Sequence, residues 1–212
     1  MKKVNLIIIF VFILFNKFFL LNLQSQINNT IVVKVGSSLI TSLDVQNEII
    51  TNLTLNKIEI TQKNIDSNKS YSLRNLIQKS IKRSEIEKFK ITDYSKKDLN
   101  KYTENIAKNL NTNTSGLKNI FKQNNIDYLT FIKKHETELL WNTLIFKLYR
   151  NQTNINIIDV DNEVKKITEI KSEDEKKKIK ANILNQKKQE KLNLFSRSHL
   201  SNLENTIVVD FQ

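Results

Sequence analysis

Few side chains in this chain of 212 residues have the chemistry that catalysis needs. The sequence has two histidines, His135 and His199, and no cysteine, which excludes a cysteine nucleophile, a disulfide framework and a thiolate metal site. His135 lies among charged neighbours, so we expect it to face solvent. His199 follows two nearby serines and could pair with a neighbour, but no G-x-S-x-G elbow surrounds it. The sequence therefore predicts no active site and no enzymatic activity.

Three other motifs also have a plain structural explanation. The acidic run Glu173-Asp174-Glu175 offers carboxylates to a cation, yet it is more typical of a solvated helix start. Neither histidine has a second ligand at helical spacing beyond common glutamates, so no metal site is predicted. Gly36-Ser37-Ser38 indicates a turn. It is not predicted to be a phosphate-binding loop, because no lysine stands at the position that such a loop requires. We expect no cofactor and no metal.

The charge balance is basic, with 34 Lys and Arg against 22 Asp and Glu and a formal net charge of +12. Such a balance suits nucleic acid, an anionic membrane surface or no specific partner. The charges are scattered, and no basic run is interleaved with aromatic residues as in a platform for single strands. We therefore predict no nucleic-acid partner.

The N-terminus is typical of an export signal. Lys2 and Lys3 precede an unbroken apolar run from Leu6 to Phe15, and Ser25 is suited to a cleavage site. The sequence thus predicts a signal peptide at residues 1–25, cleaved near Ser25, and export of residues 26–212. The alternative is an uncleaved anchor over residues 4–23, which is about as long as a bilayer crossing needs but would place Lys17 inside the membrane.

Short β-branched runs mark both ends of the exported part. Ile31–Val35 predicts a strand that enters a turn at Gly36, and the T-x-x-D pattern of residues 41–44 predicts a capping box that opens a helix. Residues 206–211 predict a second strand. A strand cannot stand alone, so we expect this one to pair with Ile31–Val35.

The segments between these strands have helical periodicity, apart from residues 54–70, which are predicted as a loop or frayed helix, and the charged run 169–178, a candidate junction. Predicted helices begin near Thr41, Tyr71, Ser95, Gly116, Asp127, Asp159 or Asp161, and Ile179. The predicted fold is mainly α, an irregular bundle of about six helices with a small β-sheet joining the two ends. One domain is expected over residues 26–212, its N-terminal part about 29–168 and its C-terminal helix and strand about 179–211.

Four stretches, in this order, resemble the chaperone module of the SurA N-terminal domain family and its trigger-factor-like relatives. They are IVVKVGSSLITSLDVQNEI (31–49), SLRNLIQKSIKRSEIEKFKI (72–91), SGLKNIFKQNNIDYLTFIKKHETELLWNTL (115–144) and ILNQKKQEKLNLFSRSHLSNLENTIVVDF (183–211). Members of that family usually insert one or two parvulin-type prolyl isomerase domains, each of about a hundred residues, before the last helix. Here only residues 168–178 lie between the predicted helices, so the chain resembles the module without its isomerase.

The resemblance implies a periplasmic, ATP-independent chaperone (holdase) whose partners are unfolded outer-membrane or periplasmic proteins. Such a protein needs apolar surface kept open to clients, and aromatic side chains supply that area at small entropic cost. The predicted client-binding residues are Leu117, Phe121, Tyr128, Phe131 and Trp141. The alternative interpretation of each of these five is a residue buried in the hydrophobic core. Phe131 and Trp141 lie off the apolar stripe of their helix, which favours exposure. The edge of the sheet is a second candidate, through addition of a client strand.

Two other functions stay open at this point. One is a prolyl-isomerase-related protein with degenerate or absent activity. The other is an envelope assembly scaffold held in the inner membrane by an uncleaved N-terminus, which would be the chain's membrane contact. The sequence does not name the client or the oligomeric state.

Overall fold

A computed structural model describes residues 29–167 and 172–212. The predicted signal peptide, its cleavage site and part of the predicted junction lie outside the described residues. In chain order the elements are β1 (Ile31–Val35), β2 (Ser38–Thr41), α1 (Ser42–Leu55), α2 (Gln62–Lys88), α3 (Lys96–Asn109), α4 (Thr114–Gln123), α5 (Tyr128–Tyr149), a 3-10 turn (Arg150–Gln152), α6 (Ile157–Lys165), α7 (Glu173–Glu204) and β3 (Val209–Phe211). The prediction of a mainly α fold with a small sheet is confirmed.

The sheet has the strand order β2-β1-β3, and both pairings are antiparallel. Val33 pairs with Phe211 and Val35 with Val209, so the predicted pairing of the two ends is confirmed. Gly36 makes the turn into β2 at φ +55°, a conformation that glycine adopts without a Cβ penalty. Its N–H also donates to the Val208 carbonyl at 3.0 Å, which attaches the segment before β3 to the turn.

Most helices begin at side-chain caps that the sequence contains. The predicted capping box is present, because Thr41 accepts from the Asp44 N–H while the Asp44 carboxylate accepts from Thr41. The prediction for residues 54–70 is wrong over its second half, since α2 begins at Gln62, where the Thr61 side chain accepts from the Asn64 N–H. Ile65 packs against the apolar cluster beneath the sheet. This contact stabilises the first turns of α2, although their sequence has no regular apolar period.

The last two helices begin earlier than predicted. The Asn156 side chain accepts from the Ile158 N–H, so α6 begins before either predicted aspartate. The Ser172 side chain accepts from the Glu175 N–H, so α7 begins at Glu173 and includes much of the charged run. Its first turn carries three acids, which the partial positive charge of a helix N-terminus stabilises.

The core has three apolar clusters arranged along the chain. The sheet cluster lies between the sheet and the helices α1 and α2, and includes Val33, Ile49 and Ile81. The central cluster joins the end of α2 to α5, with α7 packed against it through partly buried leucines. The hairpin cluster joins α3, α4 and the start of α5. The helix α5 therefore takes part in two clusters along its length.

Candidate functional site

Four of the five predicted client-binding residues are core residues. Leu117 and Phe121 are fully buried on α4, Phe131 is 5% exposed and Trp141 is 1% exposed. Tyr128 is half-buried at the start of α5. The expectation that Phe131 and Trp141 stand exposed is wrong, and in this conformation the set does not form an open apolar surface.

Aromatic packing explains the burial of the α4 and α5 residues. The Phe121 and Phe131 ring centroids lie 4.9 Å apart at an interplanar angle of 81°, the edge-to-face geometry that aromatic pairs favour. Tyr128 packs edge-on to Phe121 at 6.0 Å, and Tyr102 of α3 stacks on Phe131 at 5.9 Å. Burial raises the pKa of Tyr102 and of Tyr128. These residues connect three helices within the hairpin cluster.

Trp141 lies apart from them, in the central cluster. Its Nε1–H donates to the Ser196 hydroxyl of α7 at 2.8 Å. The Lys82 ammonium of α2 lies 5.8 Å from the ring centroid, while its Nζ is 2.6 Å from the Glu138 carboxylate. Trp141 thus contacts groups from α2 and α7 at once. A helix packed on more than one side buries residues outside its main apolar stripe.

His199 of α7 has found the neighbour that its sequence context suggested. Its Nδ1 lies 2.8 Å from the Tyr149 hydroxyl of α5. Its Nε2 is buried, 3.4 Å from a Glu85 carboxylate oxygen of α2, yet without the angles of a hydrogen bond. Glu85 also pairs with Lys88 at 3.3 Å. The histidine therefore joins three helices, through the Tyr149 hydroxyl of α5 and the Glu85 carboxylate of α2.

The prediction that His135 faces solvent is wrong. It is half-buried, and its ring stacks on Tyr102 with centroids 3.4 Å apart at 7°. Burial lowers the pKa of His135, against the opposing attraction of Glu138. Its charged neighbours in sequence have partners of their own, since Lys134 pairs with Glu48 and Glu136 accepts from the Tyr94 hydroxyl.

A pocket of about 100 Å³ lies between α1, α2 and the start of α5. Its floor contains the buried residues Thr51, Ile126 and Phe131. Its rim contains the exposed Asp44 and Asp127, the cap residues at the beginnings of α1 and α5. Apolar groups therefore meet polar ones in a recess that opens to solvent.

The carboxylates that line this pocket are engaged with groups of the protein. Buried Glu48 pairs with Lys134, and Asp44 accepts from the Thr41 N–H at 2.9 Å. Asp127 accepts from the Thr130 hydroxyl at 2.6 Å and from the Leu129 N–H at 3.0 Å, bonds that lower the pKa of its carboxyl.

Lys79 of α2 is among the pocket residues that the sequence did not single out. Within the described residues its ammonium makes no hydrogen bond and no ion pair. Burial lowers its pKa, although Glu48 and Asp44 attract the charge at longer range. One signal was available: Lys79 follows Leu76 by three residues, a spacing that places it beside the apolar face.

Two further findings concern residues 29–167 and 172–212. No group of three or more His, Cys, Asp or Glu side chains is placed to hold a metal ion there. Nor does any helix in that part of the chain combine the length and apolar character that crossing a membrane requires.

Among known proteins, similarity is found to solved structures. No family model matches this chain, and no curated protein does. A solved chain from Campylobacter jejuni covers 87% of this chain and 99% of its own length, with a TM-score of 0.42 and 14% sequence identity. It belongs to work describing the virulence factor PEB4 and the periplasmic protein Cj1289 as two structurally related SurA-like chaperones.

Proposed function

We propose that this chain is an exported, ATP-independent chaperone that holds unfolded periplasmic or outer-membrane proteins and catalyses no reaction. The observation that carries the proposal is the pairing of β1 with β3. It joins the first and last of the four stretches that resemble the SurA-type module, as a closed module of that kind requires. An N-terminus typical of an export signal supports a periplasmic location.

The short link before α7 supports a role without isomerase activity. The helix α6 ends at Lys165 and α7 begins at Glu173. Family members that carry a parvulin-type domain there insert about a hundred residues at this point. We therefore propose that any prolyl isomerisation of the clients comes from another protein.

Exposed apolar side chains outside the three clusters supply the surface that a holdase uses. Leu129, Phe146 and Leu194 are 67%, 51% and 62% exposed. Weak contacts of this kind bind apolar segments and still release them, because each buries little area. Without the predicted signal peptide, which carries Lys2, Lys3 and Lys17 and no acid, the chain has 31 Lys and Arg against 22 Asp and Glu. Its net charge of +9 favours capture of acidic clients at rates that fall as salt rises.

Suppression of aggregation tests the proposal. A β-barrel outer-membrane protein is diluted from urea with an equimolar amount of the purified protein, and light scattering is followed over time. We expect slower scattering without ATP, and none of that effect with an unrelated helical protein of similar charge. Scattering that rises at the same rate in both mixtures would overturn the proposal.

Two further measurements separate the alternatives. An X-Pro peptide should isomerise at its spontaneous rate in the presence of the protein, whereas an increase would favour the isomerase-related function. Mass spectrometry of the protein from envelope fractions should give an N-terminus near Gln26. An intact start at Met1 would favour the anchored scaffold.

A further inference from the structure

The pocket between α1, α2 and α5 contains a cation with no acceptor. Among the described residues, Lys79 makes no hydrogen bond or ion pair, and it is half-buried on α2. An ammonium has three N–H donors, and Lys79 Nζ is not among the fully buried side-chain atoms that lack a partner, so these donors meet solvent in the pocket. An acceptor from outside the chain can replace that water without displacing a group of the protein.

The neighbouring carboxylates are held by other groups. Glu48 accepts from Lys134 and from the Asn52 amide at 3.4 Å. Asp44 closes the capping box of α1, and Asp127 caps α5. Moving any of them to Lys79 would break an existing ion pair or helix cap, and the loss of a cap alone costs about 1 kcal/mol.

The volume and lining of the pocket suit a small hydrogen-bond acceptor that lies next to a short apolar group. Its volume of about 100 Å³ is enough for several water molecules or one short side chain. Leu76, Ile126 and Phe131 supply apolar wall and floor. An extended polypeptide places a carbonyl next to a side chain at every residue, which matches this combination.

The charge of the pocket favours a neutral acceptor. Three carboxylates, those of Asp44, Glu48 and Asp127, line it together with the two ammonium groups of Lys79 and Lys134. A further carboxylate would meet net repulsion at this range. A main-chain carbonyl gains a hydrogen bond from an ammonium without that repulsion.

We propose that this pocket is a client subsite, in which Lys79 donates to a main-chain carbonyl of an extended client while a short apolar side chain enters against Ile126 and Phe131. The subsite rests on the proposed chaperone function and gives it a specific contact. Phe131 then takes part in client binding through the one face that it turns to the pocket, although the residue as a whole is core.

The test compares Lys79→Met, Lys79→Arg and Lys69→Met in the full chain. Lys79→Met keeps the stem and removes the donors, and Lys79→Arg keeps donors at the same place. Lys69→Met is the matched control, because Lys69 is exposed on the same helix and its loss changes the net charge equally. The probe is reduced, carboxymethylated α-lactalbumin carrying a fluorescein label, and binding is measured by fluorescence anisotropy.

We expect Lys79→Met to weaken binding about tenfold, which is the size of one lost charge-assisted hydrogen bond. Lys79→Arg should retain most of the affinity, and Lys69→Met should match the unsubstituted protein. The thermal midpoint of Lys79→Met should stay equal or rise, because a partly desolvated ammonium has been removed. A merely structural lysine would lower it.

Two results would overturn the subsite while leaving the chaperone function in place. One is unchanged binding by Lys79→Met, and the other is an equal loss in Lys69→Met, which would indicate general charge attraction. Failure of the unsubstituted protein to bind the probe would instead overturn the proposed function itself, and the subsite with it.

Discussion

Replacing Phe121 with alanine tests whether this residue stabilises the core or contacts clients. Phe121 is 0% exposed, and its ring packs edge-on to Phe131 at 4.9 Å and to Tyr128 at 6.0 Å. Removing a buried phenylalanine ring costs about 3–5 kcal/mol through lost burial and the cavity left behind. At about 2–4 °C for each kcal/mol in a domain of this size, we expect the thermal midpoint to fall by about 6–20 °C.

Urea denaturation measures this loss, with Trp141 as an intrinsic probe. Trp141 is the chain's single tryptophan and is 1% exposed, so its emission should shift to longer wavelength on unfolding. Tyr71→Ala is the matched control, because Tyr71 is an aromatic residue that is 60% exposed and its loss should cost less than about 1 kcal/mol. If Phe121→Ala and Tyr71→Ala have the same midpoint, and only the former loses aggregation suppression, Phe121 contacts clients and our assignment to the core is wrong.

Three other changes have defined outcomes. Deleting residues 204–212 removes β3 and should lower the free energy of unfolding by several kcal/mol. A thermal melt measures this loss. A loss under about 0.5 kcal/mol would mean that the strand does not stabilise the fold. Because burial lowers the pKa of His135 below its ordinary 6.5, the unfolded chain binds that proton more tightly. Stability from this site is therefore complete above pH 6.5 and is lost as the pH falls through the lower folded value. His135→Gln should flatten that part of the pH profile, and an unchanged profile would contradict the burial. Ser196→Ala leaves the buried Trp141 N–H without its acceptor and should cost about 1–3 kcal/mol, whereas Ser198→Ala, at an exposed position, should match the unsubstituted protein.

The elements that local signals specify were predictable from the sequence. The capping box of residues 41–44 and the turn at Gly36 each depend on neighbouring residues, and both are present. The pairing of β1 with β3 followed from the need of any short apolar strand for a partner. The start of α2 was missed because residues 62–70 have a weak apolar period, and Ile65 is held by contact with a distant part of the chain.

The burial of the predicted site residues could not be obtained from one helix's periodicity. Leu129 lies on the apolar stripe of α5 yet is 67% exposed, while Phe131 and Trp141 lie off the stripe and are buried. The reason is that α5 contacts α3 and α4 at its start and α2 and α7 further along, so its buried side changes along its length. Partner helices determine that change, and their positions are not encoded locally.

The strand order β2-β1-β3 has a consequence for the order in which the protein folds. β1 and β2 are adjacent in sequence and can form a hairpin early, but β3 follows only after seven helices of the described chain. Until then one edge of β1 carries unpaired N–H and C=O groups, which is the kind of edge that recruits other strands. Pairing across such a separation is also slow, because the loop must close before the contact is gained. A newly made copy therefore exposes a strand edge open to aggregation until β3 pairs with β1.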